Sequence, residues 1–268
     1  MSEIGVCTDS SALLPTGVPA RLGITVVPIQ ITVSGNPYGG GEGEIDDFYE
    51  QLSAGASVTT SQPSPGALLD AYTNAAAAGA REVLSIHLDA RLSGTTASAE
   101  LAAREALVPV TVVDTKTVSF GVGACVRAAA EAVIAGASAT DAVAAARRLS
   151  SQLQNVFVAP GAPAGRVGDT EEWSLLEFVD GRAQHLAACG SVWEAIELMT
   201  GRIRAAPGPI RAAVGHAGKV VESPADALAR SLAGSPLVLE VERYRVGPAV
   251  GAHTGPYSFG AFWWPAAR

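Results

Sequence analysis

The hydrophobic positions of this chain fall into short runs separated by stretches with helical spacing. Residues 4–7 form a brief apolar run that ends in Thr8-Asp9-Ser10-Ser11. Residues 24–33 are rich in β-branched side chains and stop at the turn Ser34-Gly35-Asn36-Pro37. Residues 83–87 and 110–113 have the same strand character. Between them the spacing predicts helices over 46–52, over 65–78 with Ser64 as N-cap and Pro65 in the first turn, and over 95–107. Two more follow over 124–134 and 139–153, parted by Gly136. Short strands alternating with helices imply βαβ units and a largely parallel sheet.

The pattern changes near residue 155. A strand over 155–158 leads into the Gly/Pro-rich stretch "APGAPAGRVG", and strands over 175–179 and 184–187 flank the hairpin signal Asp180-Gly181. A helix over 192–204, a strand over 210–216, a helix over 224–232 and strands over 237–242 and 257–264 complete the chain. The predicted class is α/β and two-lobed. An N-terminal domain, 1–153, carries a mainly parallel sheet, and a second α/β domain, 154–268, carries a mixed or antiparallel one, with a cleft between the lobes.

Composition narrows the function. The 268 residues are long enough for a sizeable core. A net charge of −8, with no run of like charges, argues against a nucleic-acid surface. The start "MSEIGVCTDSS" lacks the basic-then-apolar order of a signal peptide, and no uninterrupted apolar run reaches the roughly 18 residues of a membrane span. Cys7, Cys125 and Cys189 lack CxxC spacing and read as buried thiols of a reducing cytoplasm, and no metal or other cofactor is expected.

Chemistry is expected at the carboxyl ends of the parallel strands, where open α/β sheets hold their ligands. Three first-half loops there carry hydroxyls: "TDSS", "TTSQPS" and "RLSGTT". Hydroxyls together with helix N-terminal amides suit an anion, although Ser, Thr and Asp at such places also serve as ordinary caps. At the corner formed by the last loop, Gly94 is read as giving the backbone room to turn. In the second half Arg166 sits in a loop, and His253 and Thr254 lie between glycines before the last strand. His87, His185 and His216 read as core histidines. Neither a G-x-S-x-G elbow nor a Walker sequence is present. One open alternative is a hydrolase-type enzyme with Ser93 as nucleophile, His253 as base and Asp9 or Asp114 as orienter. The other is a binder of a small phosphorylated metabolite.

Taken together, "VCTDSSALLP", "TTSQPSPG", "IHLDARLSGTTASA", "VVDTKTVSFGVG", "AGRVG" and "GAHTGP" resemble, in order, the motifs of the DegV family of bacterial fatty-acid-binding proteins. The resemblance implies a non-catalytic protein of two α/β domains that holds one long acyl chain in an internal tunnel. It places the carboxylate on Thr60 and Ser93, with Ser61, Gly94 and Thr95 beside them, and puts Arg166, His253 and Thr254 near the head group. It further implies a fatty acid kinase as partner, for which the carrier presents its acyl carboxylate for phosphorylation and phospholipid synthesis, with transient contact at a membrane surface. Three stretches depart from the family pattern: "DTEEWS" replaces the apolar segment after Arg166, "AACGSVWEA" lacks a basic residue, and Tyr257 stands where HTGP is usually followed by glycine. The acyl-binding motifs are intact, and the part that would face a kinase is trimmed.

Overall fold

The computed structural model describes residues 3–39, 44–160 and 173–266. These group into two compact units. The first comprises 1–32 and 59–151, the second 33–58 and 152–268. A single cut near residue 153 would have left 33–58 in the first unit. Its place in the second follows from its contacts there. Tyr49 Oη donates to the Val246 carbonyl at 2.7 Å, and Asp46 binds both Arg245 and Lys219, at 2.6 and 2.8 Å. The Arg245 guanidinium also lies over the Tyr49 ring.

In the first unit a four-stranded parallel sheet runs in the order β2 (Ile24–Val27), β1 (Ile4–Asp9), β6 (Glu82–His87), β7 (Val110–Asp114). Helices α1 (Val18–Leu22), α3 (Pro65–Ala77), α4 (Thr95–Arg104), α5 (Phe120–Ile134) and α6 (Ala139–Gln152) belong to the same unit. Ser64 caps α3 by accepting from the Ala67 amide, and Pro65 fills the first turn, where its missing N–H costs nothing. Leu68, Ala71 and Tyr72 of α3 pack with Cys7, Val83, Ala99 and Ala102 into one core.

The stretch 24–33 is not one strand. Pro28 interrupts it, so β2 ends at Val27 and β3 (Gln30–Val33) enters a separate small sheet of order β4 (Asn36–Pro37), β3, β5 (Val58–Ser61). Helix α4 stops at Arg104, short of the expected end, and Leu107 beyond it is exposed.

The second unit holds helix α2 (Ile45–Ser53) and a six-stranded mixed sheet in the order β10 (Arg182–Cys189), β9 (Trp173–Val179), β8 (Gln154–Pro160), β13 (Phe259–Pro265), β11 (Ile210–His216), β12 (Val238–Arg245). Only the β11–β12 pair among these is parallel. The β9–β10 hairpin turns at Asp180 and Gly181, both with positive φ, as a type I′ turn requires. Helices α7 (Val192–Arg204) and α8 (Glu222–Ala233) pack their apolar faces on the sheet around Met199, Ile203, Leu228 and Leu232. His185, expected in the core, is exposed, because β10 is an edge strand. A further helix, α9 (Pro248–Thr254), occupies the stretch around His253 and Thr254, for which the sequence pattern predicts no helix. No helix among the described residues is long and apolar enough to cross a membrane.

Candidate functional site

Strand β1 delivers Asp9 to the carboxyl end of the first unit's sheet, and the chain there closes into a single 3-10 turn, Ser10–Ala12. Asp9 Oδ1 accepts from the backbone N–H and the hydroxyl of Ser11, capping that turn. Its other oxygen, Oδ2, lies 2.7 Å from His87 Nδ1. His87 Nε2 lies 2.7 Å from Ser85 Oγ, which in turn lies 2.7 Å from Tyr72 Oη. All four side chains are buried. One proton arrangement satisfies the whole chain: Tyr72 donates to Ser85, Ser85 to His87 Nε2, and His87 Nδ1–H to the Asp9 carboxylate.

This Ser-His-Asp order has the distances of a hydrolytic triad, yet Ser85 is wholly buried, where no substrate carbonyl reaches it. The network also occupies both Asp9 oxygens, so Asp9 is not free to orient a second histidine. It serves to tie β1, β6 and α3 together beneath the loop.

At the end of β6 the chain enters the corner 88–96. Asp89 is fully buried and is gripped by Arg91, whose backbone N–H, Nε and Nη2 all donate to it at 2.6–3.1 Å. Hydrogen bonding to Arg91 holds its carboxyl below the usual range, against the opposing effect of burial. The cation within the corner's own sequence, Arg91, is thus engaged by Asp89.

Beyond it, Ser93 Oγ and Thr95 Oγ1 share a 2.8 Å hydrogen bond, and Ser93 Oγ also accepts from the Thr95 amide at 3.3 Å. Thr95 and Thr96 open α4 and are buried, while Ser93 is half-buried. Gly94 has φ −73° and ψ 6°, a conformation open to any L residue, so the turn itself does not call for glycine.

The "TTSQPS" motif does not follow a strand of the main parallel sheet, where the pattern of the sequence places it. Thr60 and Ser61 lie in β5 of the small sheet, Thr60 half-buried and Ser61 exposed. The chain then brings Gln62 against the Ser93 corner. A Cβ placed on Gly94 would lie 2.9 Å from Gln62 Nε2. Two motifs about thirty residues apart therefore meet within one unit.

Arg166 lies outside the described residues. His253 stands in the last turn of α9, exposed, with Thr254 next to it; Thr254 Oγ1 accepts from Ser258 Oγ at 2.9 Å. A surface depression of about 490 Å³ involves Ile4 and Glu82, at the opposite ends of β1 and β6, away from the hydroxyl loops. No group of His, Cys, Asp or Glu able to hold a metal ion occurs among the described residues. The three cysteines are free and buried, and burial pushes the thiols of Cys7 and Cys125 up to about 12, so they stay protonated and unreactive.

The described residues thus form two α/β units, the first with hydroxyl-bearing loops at the carboxyl ends of β1 and β6. The family model described as "Uncharacterised protein, DegV family" matches residues 3–160, and the chain belongs to the DegV family. A DegV domain-containing protein of Streptomyces coelicolor is 33% identical over 270 residues, covering 95% of each chain. One from Mycobacterium bovis is 30% identical, again over 95% of each. Among solved structures, a DegV family protein from Thermus thermophilus, described for fatty acid binding, matches with TM-score 0.88 and 32% identity over 99% of this chain and 100% of its own. DegV of Bacillus subtilis, described as a fatty acid binding protein, matches with TM-score 0.84 and 25% identity over 99% of this chain and 100% of its own.

Proposed function

We propose that this protein binds a long-chain fatty acid without transforming it, and that Thr60 and Ser93 take the carboxylate. The observation that carries the reading is the meeting of the Thr60 strand and the Ser93 corner through Gln62 and Gly94. Hydroxyls and the first amides of α4 are neutral donors suited to a carboxylate. Fatty acid binding by the Thermus relative supports the choice of ligand. Ser61, Gly94 and Thr95 belong to the same head-group region.

The energy of binding comes mainly from the tail. At about 0.8 kcal/mol per buried methylene, roughly fourteen methylenes supply around 11 kcal/mol before entropy losses. A charge-assisted hydrogen bond at the head adds only about 1.5–3 kcal/mol. The polar corner thus fixes direction, and the tail fixes affinity. Handing the bound acid to a fatty acid kinase is the extension of this reading that the family resemblance suggests.

Solvent extraction of the purified protein followed by mass spectrometry is expected to yield close to one long-chain fatty acid per chain. A clean extract from protein that also fails to take up added palmitate would overturn the proposal. In a Thr60→Ala, Ser93→Ala double variant, palmitate is expected to exchange faster while the tail still binds. Unchanged retention and exchange would remove these two residues from the site.

A further inference from the structure

We infer that Gln62 is a third side chain of the head-group corner, and that residue 94 is glycine to admit its amide. The inference rests on the reading of Thr60 and Ser93 just given and adds a residue to it. The whole carboxamide of Gln62 lies on Gly94. A Cβ there would stand 2.9 Å from Nε2, 3.2 Å from Cδ and 3.6 Å from Oε1.

Two alternative reasons for a glycine fail at this position. Its φ of −73° is unstrained, so backbone freedom is not needed. Its place as the N-cap of α4 does not require glycine either, since Ser, Thr, Asp or Asn serve there as well or better, by about a few tenths of a kcal/mol. What a side chain at residue 94 would meet is the Gln62 amide.

Gln62 is exposed, so core packing does not account for its placement. Its amide offers two N–H donors beside Ser93 and Thr95, whose hydroxyls already bond each other at 2.8 Å. Residues 93–96 contribute no charge, and Arg91 is bound to the buried Asp89. A carboxylate arriving here needs N–H donors, and Gln62 supplies them from just beyond the strand that carries Thr60.

The test compares release of palmitate with release of hexadecanol, which has the same tail and no carboxylate. In Gln62→Ala, palmitate is expected to leave about tenfold faster, the equivalent of one charge-assisted hydrogen bond, with hexadecanol release unchanged. Gly94→Ala, whose new methyl displaces the amide, is expected to show the same selective effect. The double variant is expected to be no faster than either single one, because both act through one group. The inference is overturned if Gln62→Ala releases palmitate at the wild-type rate, if both ligands accelerate equally, or if the two substitutions add. Should wild-type protein retain neither ligand, the fatty-acid reading falls with it. Wild-type retention beside an unaffected Gln62→Ala removes only the role of Gln62. Because Gln62 is an exposed side chain, its removal leaves the fold intact, and unchanged urea midpoints check this.

Discussion

Asp9 is a buried carboxylate with each oxygen engaged, and its stability depends on the groups that engage it. Replacing His87 with Ala leaves Asp9 Oδ2 buried without that donor, so the unfolding free energy in urea is expected to fall by about 1–3 kcal/mol. Tyr72→Phe removes only the end of the chain and is expected to cost about 1 kcal/mol. His216 behaves differently. Its Nδ1 faces Arg243 Nη2, which can only donate, so the proton sits on Nε2. That Nε2 is buried without a hydrogen-bond partner among the described residues. Burial, with Arg245 and Arg243 adding to it and Asp226 and Asp46 opposing, pushes its pKa down to about 4. The unfolded chain therefore binds a proton near pH 6.5 that the folded chain refuses until about pH 4. The stability this gives is complete above the unfolded value and is lost as pH falls through that window, by up to about 3 kcal/mol. Urea midpoints at pH 7 and pH 4.5 are expected to differ accordingly, and His216→Leu is expected to flatten the difference.

Elements marked by local chemistry could be read from the chain. Helix α7 begins and ends where expected because Ser191 caps it by accepting from Glu194, and the β9–β10 hairpin is announced by Asp180-Gly181. Helices α1 and α9 were hidden because each opens on Gly and Pro and closes on Gly, which also describes a turn. The Tyr72-Ser85-His87-Asp9 chain was invisible for another reason. Its members come from α3, β6 and β1, and no spacing along the sequence announces a contact made only by the sheet. Of the candidate site, hydroxyl type and motif order were legible, while the burial of Asp89 on Arg91 and the approach of Gln62 to Gly94 needed coordinates. Another close approach is testable at this scale. A Cβ on Gly123 of α5 would lie 2.2 Å from the Ala12 carbonyl oxygen, in the turn after β1. Gly123→Ala must therefore push helix and turn apart, and is expected to cost about 1–3 kcal/mol with a lower thermal midpoint.

For the whole molecule, a ligand that binds only the folded chain raises its stability by mass action. At a free palmitate concentration a hundred times Kd, the gain is about 2.7 kcal/mol. Delipidated protein is expected to melt at a lower temperature than protein as purified, and added palmitate is expected to restore the difference. An unmoved midpoint across a palmitate titration would contradict the proposed binding. The grouping of 33–58 with 152–268 carries a practical lesson for anyone wishing to dissect the molecule. A gene truncated after codon 153 would encode one unit plus a piece of the other, leaving Phe48 and Tyr49 stripped of their surroundings and prone to stick. A workable fragment would excise that detour and splice Thr32 to Thr59 through a short flexible bridge, so that each half is cut along its own seam.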